Sequence, residues 1–204
     1  MNPQFGNGAA SISDDFGPRG AEAVLLVHGH PFNRSIWARQ ATAPAAAGYR
    51  VIAPDLRGYG DNPAVGEWTL LADFADDLAA LLRRLGIERA VVGGVSMGGQ
   101  IALELRLRHP GLVRALVLCD TSPVPETEDG KEFRRKLAER LLAEGMRPYT
   151  EEVIDKMLAP YNVTGQPEAA ARVTAVTEGA GHLPGVEQPE AFKRTLLEFR
   201  AVLP

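Results

Sequence analysis

The chain has 204 residues, 45% of them hydrophobic and 24% charged, which suffices for one sizeable core and is too few for two comfortable domains. A net charge of −4 and an isoelectric point near 5.6 exclude the global basic field that draws nucleic acid or an anionic membrane, so small neutral or weakly charged molecules are the expected partners. The single cysteine, Cys119, excludes an internal disulfide, and neither a leader-like start nor a membrane-length apolar run is present, so a cytoplasmic location is expected.

In chain order, residues 23–27 form a continuous apolar run that stops at His28-Gly29-His30-Pro31, the pattern of a strand buried on both faces and followed by a tight turn. Residues 49–53 repeat it and stop at Pro54-Asp55, and residues 90–92 and 115–118 add two more runs. Between them, Leu70, Leu71, Phe74, Leu78, Leu81, Leu82 and Leu85 recur at helical spacing, with Thr69 as the expected N-cap and Gly86 as the stop. Asp73, Asp76 and Asp77 are read as the solvated face of that helix. A second helix is expected over about 98–108, ended by Pro110-Gly111. Strands alternating with helices predict an α/β fold with a parallel sheet. From 126 to about 160 the chain turns charged and helical, with Phe133, Leu137, Leu141 and Leu142 on one side and Val153, Ile154, Met157 and Leu158 later; two lid helices are expected. Residues 160–167, with Asn162, Gly165 and two prolines, read as a linker. A last helix is expected over about 189–202, packing Phe192, Leu196, Leu197 and Phe199 on the sheet. The whole reads as one domain, 1–204, carrying a helical lid at about 124–165.

Gly94-Val95-Ser96-Met97-Gly98 lies between an expected strand and an expected helix, the context in which G-x-S-x-G presents a nucleophilic serine. A sharp strand-to-helix turn needs small residues two positions to either side, and the helix that follows can offer the Met97 N–H to a developing oxyanion. Any Gly-rich strand–helix turn shares the bare pattern; the flanking elements favour the catalytic reading.

Four stretches, His28-Gly29-His30-Pro31, Pro54-Asp55-Leu56-Arg57-Gly58-Tyr59-Gly60, Gly94 to Gly99 and Gly179-Ala180-Gly181-His182, together resemble the successive signatures of the α/β-hydrolase superfamily, in its order. Leu118-Cys119-Asp120-Thr121-Ser122 and the charged helix after it are similar to 3-oxoadipate enol-lactonases and related bacterial esterases. The resemblance implies Ser96 as nucleophile, His182 as general base, and the His30 backbone N–H as the second oxyanion donor. Pro31, which has no N–H, fits that assignment. His28 and His109 are read as structural, one bonding backbone beside a turn and the other closing a helix. No metal site and no cofactor are expected, because the four histidines lack paired cysteines or H-x-x-x-H spacing.

The resemblance also implies a loss. Family members carry, after the lid, a strand, a turn with the triad acid and a helix; here 166–178 leads at once to the His182 loop, as if one strand–helix unit were deleted. Residues 172–177 read either as the final strand or as the end of a lid helix. If they form the strand, it pairs beside 115–118, and residues 177–185 take a path different from the family's, with the Ser96–His182 contact longer or absent without substrate. Asp120 is the best remaining candidate for the acid, since it follows a strand at the carboxyl edge and keeps the order Ser96, Asp120, His182. Its alternative is a turn-former ahead of Thr-Ser-Pro. Asp55 and Arg57 resemble a structural turn of the family.

The expected activity is hydrolysis of a small carboxylic ester or lactone through an acyl-serine. Phe32 and Trp37 are candidates to line an apolar acyl pocket and are equally suited to filling the core. The same residues serve a cofactor-free perhydrolase or a C–C bond hydrolase. A scaffold or ligand-binding protein, with Ser96 and His182 misaligned by the deletion, is the rival from another class.

Overall fold

The computed structural model describes residues 12–62, 69–144, 149, 152, 157–168 and 171. Within these, the four apolar runs are neighbouring parallel strands: β2 (Ala23–Val27), β3 (Arg50–Pro54), β4 (Ala90–Val95) and β5 (Val113–Cys119). A short strand that the pattern did not announce, β1 (Ser13–Phe16), adds antiparallel to β3, giving the order β1-β3-β2-β4-β5. Its sequence, Ser-Asp-Asp-Phe, has poor strand propensity. It holds an edge because its acids meet partners: Asp14 pairs with Arg34 at 3.1 Å and Asp15 with Arg50 at 2.8 Å.

Every residue of β2, β3 and β4 is buried, because both faces are covered. On one face, α2 (Leu71–Arg84) and α3 (Met97–Arg108) pack Phe74, Leu78, Leu82, Ile101 and Leu105 against Leu25, Ile52 and Val92. On the other, a 3-10 turn at Arg34–Trp37 and the five-residue α1 (Thr42–Ala46) cover Val24, Leu26, Val51 and Val91. Phe32 and Trp37 belong to this second core, at 0% and 2% exposure. As packed here they touch protein rather than solvent, the position that the core-filling alternative describes.

Helix α2 differs from its expected start. Its N-cap is Leu70, not Thr69; since leucine has no acceptor, the end is satisfied from one side only, by the Asp73 carboxylate accepting the Leu70 N–H at 2.7 Å. The stop is as the pattern requires: Gly86 sits at φ 67°, and the Gly86 and Ile87 amides return to the carbonyls of Arg83 and Leu82, the paired bonds of a Schellman end. The three acids of this helix do not share one solvated face. Asp77 is 8% exposed and holds the Arg57 guanidinium through two bonds of 2.5 Å, while Asp76 accepts from Arg108 and His109.

The expected first lid helix is α4 (Glu128–Glu144). Phe133 is exposed and Leu137 half-buried, and the described stabilisation is by near-neighbour ion pairs such as Lys131–Glu128 and Arg135–Glu132. In the segment read from sequence as the second lid helix, Met157 is half-buried and Leu158 fully buried. The stretch read as a linker instead begins with a helical turn, α5 (Pro160–Gly165), where a proline at the first position loses no hydrogen bond. Val153, Ile154, the side chains of Leu141 and Leu142, residues 172–177, Glu178, the loop 179–185 with His182, and the helix expected over 189–202 lie outside the described residues. No helix among the described residues is long and apolar enough to cross a membrane.

The contrast among the acids of α2 is measurable. Asp77→Ala should lower stability by about 2 kcal/mol in urea unfolding, a value discounted for the partial exposure of Arg57, because it strands a half-buried guanidinium. Asp73→Ala, at an exposed helix start, should cost about 1 kcal/mol or less. Equal losses would contradict the assignment of Asp77 to the buried pair.

Candidate functional site

Ser96 occupies the one-residue junction between β4 and α3, with φ 53° and ψ −122°. A non-glycine residue at positive φ is held there against a cost of about 1–2 kcal/mol. Two bonds from the end of β5 hold it: the Ser96 N–H donates to Cys119 O at 3.0 Å, and the Thr121 hydroxyl donates to Ser96 O at 2.7 Å. The expectation of small neighbours is met for a steric reason. A Cβ on Gly94 would strike the Gly98 carbonyl, one on Gly98 would strike the Val27 carbonyl, and one on Gly99 would lie 2.6 Å from the Thr121 side chain. The Met97 N–H opens α3 as a first-turn amide, without an intrahelical acceptor.

The loop after β2 comes up against this turn. A Cβ on Gly29 would lie 3.1 Å from Ser96 Cβ and 3.7 Å from its Oγ, so the backbone at Gly29 and His30 borders the serine. The His30–Pro31 peptide is cis. His28, fully buried, ties this loop to the one after β3: its Nδ1–H donates to Gly29 O at 2.9 Å, and its Nε2 accepts the Leu56 N–H at 3.1 Å. Both nitrogens are thus committed with one proton on the ring, and burial pulls its pKa down to about 4. The structural role expected for His28 is the one it has. Below it, buried Asp55 accepts from the Arg34 N–H (2.7 Å), the Arg34 guanidinium and the Asp61 N–H (2.9 Å), which makes the Asp55 turn a scaffold. His109 caps α3 and contacts Asp76 at 2.7 Å, away from the serine.

Asp120 follows β5 directly, exposed and at φ 41°. Its neighbours Cys119 and Thr121 are the two residues that bond Ser96, so it lies at the carboxyl edge beside the serine and also turns the chain that clamps it. Cys119 is half-buried, and burial raises its thiol to about 11, leaving a protonated, unreactive sulfur.

Two residues whose side chains bond Ser96, His30 or Met97 had no role assigned from sequence. One is Thr121; the other is Tyr59, whose hydroxyl lies 2.9 Å from His30 Nδ1 and 3.9 Å from Met97 Sδ. Burial raises the Tyr59 pKa, so the phenol keeps its proton. Both sit inside quoted motifs, but their partners are 25 to 38 residues distant, beyond what local pattern carries. A cavity of about 620 Å³ opens at the opposite edge of the sheet, lined by Arg19, Glu22, Arg50, Arg84 and Arg89 among others. Its arginines gather where α2 ends, where cations complement the helix dipole, and it is remote from Ser96. Among the described residues no group of three or more His, Cys, Asp or Glu is arranged to hold a metal.

Residues 22–144 match the family described as alpha/beta hydrolase fold. The chain belongs to the α/β-hydrolase family. Among its relatives is a protein named as a carbamate hydrolase from Variovorax paradoxus (strain S110), 34% identical over 171 residues, which cover 83% of this chain and 63% of that protein. A thermophilic esterase from Thermogutta terrifontis, solved with malate bound, superposes with a TM-score of 0.86 at 27% identity, covering 95% of this chain and 94% of that one. The enol-lactonase from Burkholderia xenovorans LB400, at 20% identity, shares the fold with a TM-score of 0.83 over 94% of this chain and 96% of that one. The chain spans less than two thirds of the carbamate hydrolase's length.

The state of His28 sets a pH dependence. Its folded pKa lies below the ordinary value of 6.5, so the native state excludes a proton that the unfolded chain takes up. Its contribution is complete above pH 6.5 and falls as pH drops toward 4, by up to about 3 kcal/mol. Urea midpoints at pH 7, 5.5 and 4.5 should decline, and His28→Asn, less stable at pH 7, should flatten that decline.

Proposed function

We propose that the protein is a serine hydrolase that cleaves small carboxylic esters or lactones through an acyl-serine. The observation that carries this reading is Ser96 at φ 53° on the strand–helix junction, with the first-turn amide of α3 on one side and the Gly29–His30 backbone on the other. Kinship with an esterase of known structure supports it. In the reaction, Ser96 Oγ attacks the carbonyl carbon while His182 takes its proton. The Met97 and His30 N–H groups receive the charge that forms on the carbonyl oxygen. Collapse breaks the bond to the alcohol oxygen, which leaves with the proton from His182, and water then cleaves the acyl-serine by the same steps. His182 is assigned on the motif around it, and Asp120 as its orienting acid on chain order and position beside Ser96.

A second reading, a hydrolase fold weakened in catalysis, is favoured by Asp120 itself. An aspartate at φ 41° between the two residues that clamp Ser96 has a structural task whether or not it meets a histidine.

Ser96→Ala should abolish hydrolysis of a short p-nitrophenyl ester and labelling by a fluorophosphonate, with a Tm equal to or slightly above that of the parent, because it leaves the fold intact. Undiminished hydrolysis by the variant would exclude Ser96 as nucleophile. Asp120→Asn separates the two readings, since asparagine also tolerates positive φ and the backbone turn is kept. If Asp120 orients the base, kcat should fall by roughly four powers of ten; a few-fold change would leave it as the turn alone.

A further inference from the structure

Tyr59 is the side chain that bridges the two residues assigned to the oxyanion hole. Its loop is held by hydrogen bonds: the Tyr59 N–H donates to Leu56 O and the Asn62 N–H to Tyr59 O, both at 3.0 Å, and Asp55 anchors the same loop to Arg34. The ring is fixed as well, edge-on to His28 (centroids 5.4 Å) and His30 (5.8 Å) and tilted on Phe74 (6.4 Å). From this seat the hydroxyl reaches His30 Nδ1 on the loop after β2 and Met97 Sδ at the start of α3. One proton assignment satisfies all three atoms: His30 Nδ1–H donates to the phenol oxygen, and the phenol O–H points to the thioether. Because His30 and Met97 belong to segments 67 residues apart in the chain, their spacing has to be set by tertiary contact, and this hydroxyl supplies one such contact common to both.

We infer that Tyr59 is a positioning residue for oxyanion stabilisation: its hydroxyl holds His30 and Met97 so that their backbone N–H groups converge on one oxygen. The inference rests on the serine-hydrolase reading for the meaning of that convergence. Its geometry is independent of it. An oxyanion donor moved by a few tenths of an ångström loses most where negative charge is fully formed, so the deficit falls on the transition state and spares substrate binding.

The test is Tyr59→Phe, which deletes the hydroxyl and keeps the ring against His28, His30 and Phe74. On an ester substrate kcat should fall about tenfold, a fraction of the roughly hundredfold or greater loss from deleting an oxyanion donor outright, with KM within twofold and Tm nearly unchanged. In NMR spectra the His30 ring nitrogens and the Met97 methyl should both shift while the His28 ring signals stay. Tyr59→Leu, which loses the ring too, should fall further in both kcat and Tm, so that phenylalanine rescues stability without rescuing turnover. A kcat for Tyr59→Phe within twofold of the parent overturns the inference, as does a loss that appears equally in KM. If the parent hydrolyses no ester, the serine-hydrolase reading fails on its own, and the spectra still decide the contact: unmoved His30 or Met97 signals would show that Tyr59 joins nothing.

Discussion

The carboxyl edge of this sheet is organised around one unfavourable backbone conformation, the positive φ of Ser96. Such a conformation persists only where its surroundings over-determine it. Here the end of β5 grips both sides of the residue, through the Cys119 carbonyl and the Thr121 hydroxyl, and the chain at Val27–His28 and Gly29 closes against it from β2. The glycines around Ser96 are consequences of this crowding. So is the turn at Asp120, since the chain has to reverse there for Thr121 to reach back.

A second layer supports the first. The loop after β3 is fastened to the loop after β2 by three unlike interactions: the neutral His28 ring receiving the Leu56 amide, the buried Asp55–Arg34 pair, and the Tyr59–His30 contact. Buried ion pairs are weak sources of net stability, because desolvation cancels much of the attraction. Their geometry is directional, however. A carboxylate that accepts from Arg34 and from the Asp61 amide at once fixes where both loops can lie.

Much of this was legible in sequence where the signal is local. The buried strands of the sheet centre announced themselves as apolar runs, α2 by its spacing and its glycine stop, and the Ser96 junction by small residues between a strand and a helix. What stayed hidden depends on partners far along the chain. The edge strand Ser13–Phe16 looks like a turn until Arg34 and Arg50 are placed beside its acids. Asp77 was indistinguishable from Asp73 and Asp76 because helical spacing says nothing about Arg57, twenty residues earlier. Thr69 is a better cap than Leu70 by residue type, but the helix starts where Asp73 can close it. Phe32 and Trp37 carry enough apolar surface for a pocket or a core, and composition cannot choose between them.

The strand order β1-β3-β2-β4-β5 has one more consequence. From β2 the chain winds outward to β3, then crosses back to build β4 on the other flank of β2, so the connections leaving β2 and β4 depart toward opposite faces of the sheet. The two connections part at a topological switch point, the place at the carboxyl ends of the strands where α/β sheets gather ligand sites. Ser96 stands at the end of β4 and His30 just beyond the end of β2, on neighbouring strands. The placement of Ser96 beside the Gly29–His30 backbone is therefore a property of winding direction, fixed by the strand order before any residue of the two loops is chosen.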